Sequence, residues 1–113
     1  MSEEKRRAER YQDFARVFAK EITPLAGVLN NVNKGGCMIN FSHISDLDMN
    51  DEYTVTIFPS PDKEMNPFDI LVQPMWKHEE PDSYKVGFSV LHSKGTAQYN
   101  LYVEKVAELC SND

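Results

Sequence analysis

The feature that most constrains this chain is a strict alternation near its C-terminal third, where Tyr84, Val86, Phe88 and Val90 are interleaved with Lys85, Gly87 and Ser89. A period of two sends successive side chains to opposite faces of a β-strand, so one face of this segment is built to be buried and the other to meet water. Three further segments carry the same pattern. Cys37 to Ser42 sets Cys37, Ile39 and Phe41 on one side, and Tyr53 to Phe58 does so with Tyr53, Val55 and Ile57. Phe68 to Gln73 places Phe68, Ile70 and Val72 against Asp69, Leu71 and Gln73. Pro59 and Pro61 end the second of these four strands, and Pro67 and Pro74 bracket the third, as expected of a residue that cannot donate to a sheet ladder. The connections are short, which predicts an antiparallel meander, because parallel neighbours need crossovers of about a dozen residues or more.

Outside the strands the spacing changes. Tyr11, Phe14, Phe18, Ile22, Leu25, Leu29 and Val32 recur by threes and fours, the stripe of an amphipathic helix over about residues 3 to 32. Pro24 should kink it, with Thr23 as the cap of a restarted helix, and residues 1–10 have no apolar face and should fray. Asn33 to Gly36 reads as a turn. At the other terminus Tyr99, Tyr102, Val103, Val106, Leu109 and Cys110 fit one helical stripe, with Thr96 as a possible cap. The expectation is a single α+β domain over residues 1–113: an N-terminal kinked helix, a four-stranded antiparallel sheet in meander order and a C-terminal helix, both helices covering the apolar sheet face. This element order resembles that of the RWD and ubiquitin-conjugating-like folds and, more loosely, of small acidic secretion chaperones. The proline-rich signature expected after the last strand of the former is missing, so no family is assigned, and order alone transmits no function.

Charge is unevenly distributed. Residues 1 to 34 hold seven Lys or Arg against five Asp or Glu, whereas the rest holds five against thirteen, within a total of −6. Acids cluster at Asp46, Asp48, Asp51 and Glu52 and again at Glu79, Glu80 and Asp82, while Lys5, Arg6, Arg7 and Arg10 form a basic arm. A polyanion such as nucleic acid needs a basic footprint that the body of this chain lacks, so direct nucleic-acid binding would fall to the arm alone. A charged N-terminus without an apolar segment behind it, and two cysteines, Cys37 and Cys110, without a framework spacing, predict a cytoplasmic protein with buried thiols.

Candidate chemistry is sparse. Asp46, Asp48 and Asn50 match the first ligand spacings of a calcium loop, but Asp51 stands where the loop needs glycine and Ile57 where it needs glutamate. His43, His78 and His92 match no zinc spacing with either cysteine, and a strand-buried Cys37 would be a poor nucleophile. Lys34-Gly35-Gly36 leads into a strand rather than the helix that a phosphate loop requires, and the sequon Asn40-Phe41-Ser42 lies within a strand. No cofactor or metal is expected.

These readings favour a non-catalytic protein-binding module whose acidic surface serves an inhibitor, regulator or chaperone of a basic protein partner. Asp46, Asp48, Asp51, Glu52, Glu79 and Glu80 would supply the charge, and Met75 and Trp76, types enriched at interface cores, an apolar anchor. A homodimer through the open sheet face is a further possibility. The alternatives are a nucleic-acid binder using the basic arm and a small enzyme with a His/Cys site.

Overall fold

The computed structural model describes residues 11–12 and 14–111, with side chains over 14–108. Its strands are β1 (Tyr11–Gln12), β2 (Arg16–Phe18), β3 (Gly27–Asn33), β4 (Gly36–Phe41), β5 (Tyr53–Phe58), β6 (Phe68–Glu79) and β7 (Tyr84–Leu91), followed by the helix α1 (Thr96–Ser111). β1 and β2 both pair with β3 and share one position in the sheet. All pairings are antiparallel, and the order β2–β5–β6–β7–β4–β3 closes on itself because β3 also pairs with β2. The fold is therefore a closed six-stranded antiparallel β-barrel with one C-terminal helix.

This corrects the expected architecture of an N-terminal kinked helix and an open four-stranded meander. The N-terminal stripe is not helical: Ala15, Val17 and Ala19 are buried with a period of two, while Phe14 and Leu25 are exposed. The step of three from Leu29 to Val32, which imitates a helix turn, arises from a β-bulge, since the register of β3 against β4 shifts between Leu29 and Asn31. Thr23 caps no helix; its hydroxyl accepts from the Leu25 amide at 3.3 Å within a turn. The meander order also fails at its first link. β4 pairs with β7 and β3 rather than with β5, and residues 42–52 cross from one strand to the other. Pro74 does not end β6, because a register shift between Pro74 and Trp76 takes up the residue that cannot donate and the strand runs on to Glu79. With the barrel, the resemblance of element order noted above lapses.

The alternating segments keep their assigned faces. Cys37, Ile39, Phe41, Tyr53, Val55, Ile57, Phe68, Ile70, Val72, Val86 and Phe88 all point into the barrel and are buried. Among the described residues no second helix covers a sheet face; the interior is filled by the strands' own side chains, joined by Val17, Leu29 and Val32.

The mouths of the barrel are closed differently. α1 lies at the end that carries the β3–β4 hairpin: the Tyr99 hydroxyl donates to the carbonyls of Asn33 (2.7 Å) and Gly36 (2.9 Å), and the Tyr102 ring lies 5.9 Å from that of Phe68. The helical stripe Tyr99, Tyr102, Val103 and Val106 is buried as expected, and the side chains of Leu109 and Cys110 lie outside the described residues. At the opposite end Ile22 plugs the mouth from the β2–β3 turn, and its carbonyl accepts from the amides of Ser45 (2.9 Å) and Asp46 (3.1 Å).

Candidate functional site

On a closed barrel the outward residues of neighbouring strands line up in rows, and two such rows on the β3–β4–β7–β6 wall bring polar, cationic and aromatic side chains together. The first reads Asn31, Met38, Gly87 and Trp76 across β3, β4, β7 and β6. The second reads Arg16, Val28, Asn40, Lys85 and His78 across β2, β3, β4, β7 and β6. Successive members stand about 4.8 Å apart.

Trp76 dominates the first row. Its indole lies across the outer face of Gly87, so close that a Cβ at this position would fall 2.2 Å from Nε1 and 2.3 Å from Cε2. Only glycine permits this approach. The Trp76 side chain is nevertheless 44% exposed, because one ring face rests on the strand and the other is open. Beside it lies a shallow groove of about 120 Å³ lined by Asn31, Asn33, Met38, Met75 and Phe88 among others.

Asn40 lies at the centre of the second row. Its Oδ1 is buried, yet it accepts no hydrogen bond from the described residues. An unmet buried acceptor costs about 1–3 kcal/mol, so a donor from outside the protein, such as a water or a ligand group, is favoured at this position. Val28 and Lys85 are the cross-strand neighbours of Asn40, and Lys85 and His78 both approach Glu80, at 3.4 and 3.7 Å. A second, purely outer groove, of about 510 Å³, lies beyond Arg16 between Phe14, Phe18, Phe58 and Pro61.

The residues singled out from the sequence fall into two places. Met75 and Trp76 stand on the outer wall, just past the β6 bulge. Asp46, Asp48, Asp51 and Glu52 occupy the β4–β5 connection, and Glu79 and Glu80 the β6–β7 hairpin. Phe41 and Tyr84 are paired, so both connections leave the barrel from the same end. Part of that charge is engaged: Asp48 accepts from the Asn50 amide at 2.9 Å, and Glu80 holds Lys85. The basic arm, Lys5 to Arg10, lies outside the described residues, as does the whole of residues 1–10, for which fraying was the expectation.

Among the described residues no three of His, Cys, Asp or Glu converge as a metal site would require. Cys37 is a free thiol inside the barrel, where burial pushes its pKa up to about 12 and leaves it protonated and unreactive. No described helix is long and apolar enough to cross a membrane.

Sequence reasoning set Asn40, Lys85 and Gly87 on the open, mostly polar face of the sheet without giving any of them a role of its own, and it passed over Asn31. Gly87 carried a usable signal, since a glycine inside an otherwise alternating strand marks a bulge or a close approach.

No protein-family model matches the chain, and no curated protein matches it significantly. The functional reading therefore rests on the wall and the charge pattern.

Proposed function

We propose that this protein is a non-catalytic binding module that captures a small phosphate-bearing nucleotide on the outer barrel wall. The observation that carries this reading is the buried, unpartnered Oδ1 of Asn40, set in a row between Arg16 and Lys85. A carboxamide in that setting offers an acceptor to the amino or imino group of a base, or to an arginine that itself grips a phosphate. Ser42, exposed just past the end of β4, adds a hydroxyl.

The arm supplies what the wall lacks. Arg10 directly precedes Tyr11 in the sequence, and Tyr11 is the Cα partner of Val32 on the neighbouring strand. Arginine is the suited cation, because its planar fork binds phosphate oxygens in pairs and stacks on flat rings. A compact ligand with one or two phosphates fits better than a polymer: Lys5, Arg6, Arg7 and Arg10 form a short footprint, and a longer polyanion would meet a chain of net charge −6 and its acidic loops.

The test is calorimetric titration of the full chain with AMP, GMP, GDP, cyclic dinucleotides of adenine and guanine, and a ten-nucleotide single strand. Binding of a small nucleotide that is lost in Arg6→Ala/Arg10→Ala and weakened at least tenfold in Asn40→Ala supports the reading. Failure of every small nucleotide to bind, or equal binding by the arm variant, overturns it.

A second reading is favoured by the departure of both acidic loops from one end of the barrel. Asp46, Asp48, Asp51, Glu52, Glu79 and Glu80 would there recruit a basic protein partner, making the barrel an adaptor that regulates this partner. Complementary charge of this kind acts mainly on association rate, so the reading predicts binding to a cationic partner that weakens with salt.

A further inference from the structure

We infer that the outer groove at β2, β3 and β5 is a second binding site, built for a small amphiphile whose aromatic or alkyl body carries one carboxylate, with Arg16 holding the carboxylate. The site needs nothing from the nucleotide reading and goes beyond it.

The lining sets this groove apart from a solvent face. Phe14, Phe18 and Phe58 stand on the outside of the barrel, with Val28, Pro59 and Pro61 around them. Phe14 is 66% exposed, Val28 41% and Phe58 39%. Apolar residues scattered singly over a surface are ordinary, but here they gather about one hollow of about 510 Å³. Small-molecule sites are concave, mostly apolar and roughly 300–1,000 Å³ in volume, so the hollow has the shape, lining and size of one. Two of its rings already hold each other in place: Phe18 and Phe58 meet edge to face, with centroids 5.3 Å apart and planes at 81°. The barrel interior does not use these side chains, because the inward positions of the same strands are filled by Val17, Leu29 and Ile57.

Arg16 gives the groove its chemistry. It stands between Val28 and Phe58 in the ladder, its side chain lines the hollow, and it makes no ion pair with another described residue. A guanidinium stays charged throughout the pH range of a folded protein, and its planar fork matches the two oxygens of a carboxylate. Against an apolar wall that attraction is screened less than in open water. The polar groups at the rim are already engaged: the Ser60 hydroxyl donates to Asp62 and accepts from Lys63 Nζ at 3.0 Å, and Lys63 also meets Asp62 at 3.5 Å. A cation with no partner among the described residues, set in apolar surroundings, calls for one anion on an apolar body. A polyanion would instead be repelled by a chain of net charge −6.

The test titrates the full chain with phenylbutyrate, and with phenylbutanol and phenylbutylamine, which share its body but are neutral or positively charged. Backbone amide shifts in NMR spectra report where each binds. Phenylbutyrate should bind with a Kd of about 1 mM or tighter and shift the amides of Arg16, Phe18, Val28 and Phe58. Phenylbutanol should bind at least about fivefold more weakly, and phenylbutylamine more weakly still. Arg16→Gln should lower phenylbutyrate to the affinity of phenylbutanol while leaving phenylbutanol within about twofold of its own value, and Phe58→Ala should weaken both. Native amide dispersion shows that a variant is folded; if Arg16→Gln loses it, Arg16→Lys, which keeps the charge without the fork, takes its place and should weaken phenylbutyrate alone. Equal affinities for acid, alcohol and amine overturn the assignment of Arg16, and phenylbutyrate shifts that are absent or fall outside the groove overturn the site. Shifts at the same amides that grow with protein concentration in the absence of any probe give the groove to a second copy of the chain, and they overturn it too.

Discussion

The two mouths of the barrel meet the same physical need with very different material. A closed sheet leaves its interior open at both ends, and each must be covered to keep water off the core. At the hairpin end the cover is α1, which sinks two tyrosine rings and two valines into the opening and ties itself to the backbone of Asn33 and Gly36 through Tyr99. At the loop end the cover is one isoleucine, Ile22, aided by the half-buried Ile44 and Leu47 and by backbone hydrogen bonds from Ser45 and Asp46. The first end is a structural plug that cannot change without loss of stability. The second is thinly covered and leaves its connections free to carry charge, and the acidic residues gather there.

This contrast can be broken most directly at the plug. Tyr102→Ala empties a fully buried position facing Phe68 and should cost about 3–5 kcal/mol, read as a shift of the denaturant midpoint. Phe88→Ala, inside the barrel against Phe41, should cost about as much, whereas Ser89→Ala on the outer face should lie near zero. Equal effects at 88 and 89 would refute the β7 register. Tyr99→Phe keeps the ring but removes the hydroxyl that donates to the half-buried carbonyls of Asn33 and Gly36, for an expected loss of about 1–3 kcal/mol. At the loop end the comparable change is Tyr53→Phe, which removes the acceptor of the Asp48 amide at 2.7 Å, and it should cost less because water can replace it. A larger loss from Tyr53→Phe than from Tyr99→Phe would invert the comparison.

Alkaline pH should also act on the plugged end. Burial raises the Cys37 thiol to about 12, and burial together with the charge of a deprotonated Cys37 raises Tyr99 beside it. A thiol of ordinary pKa, about 8.5, loses its proton in the unfolded chain first, so the unfolded state binds fewer protons than the folded one above that pH. Stability is therefore fully present below about pH 8.5 and falls as pH rises toward 12, by roughly 1.4 kcal/mol per pH unit from Cys37 alone. Denaturant melts between pH 8 and 10 should show this decline, and Cys37→Ala should flatten it. A slope that the alanine variant leaves unchanged would place the titrating group elsewhere.

How much of this was legible in the sequence depended on whether the alternation was intact. β5 and β7 show it without interruption, and their boundaries and buried faces follow directly from Tyr53 to Phe58 and Tyr84 to Leu91. Residues 14 to 33 show it in disguise: the buried positions of the β2 region are the small Ala15 and Ala19 around Val17, and the bulge after Leu29 turns a step of two into a step of three. The large apolar residues that seemed to mark a helix, Phe14 and Leu25, point outward instead. Barrel closure was hidden for the same reason, since it needs β3 as a strand. Of the site, Trp76 and Met75 were readable as exposed anchors by type. Asn40 was not, because its significance lies in a missing hydrogen-bond partner and in cross-strand neighbours that only the register reveals.

The smallest expected effect on stability, and the sharpest on binding, belongs to the loop end. Reversing Asp46, Asp48, Asp51 and Glu52 to lysine alters a connection that carries little of the core, so each change should move stability by no more than about 0.5 kcal/mol, with Asp48 the costliest because it accepts from the Asn50 amide. The consequence for ligands is electrostatic. The wall begins at Asn40, next to Phe41, where this connection leaves the barrel, so the loop charges repel an anion approaching the wall and attract a cation approaching the end. The Debye length is about 30 Å at 0.01 M salt and about 8 Å at 0.15 M, so the loops act on the wall strongly only when salt is low. The quadruple variant should accordingly bind GMP a few-fold more tightly than the native chain at 0.01 M salt and nearly equally at 0.15 M. It should associate more slowly with a poly-lysine probe, most markedly at low salt. If GMP and poly-lysine both respond no differently from the native chain at 0.01 M, the acidic loops are a solvated surface, and the two ends differ in how they are plugged but not in what they recruit.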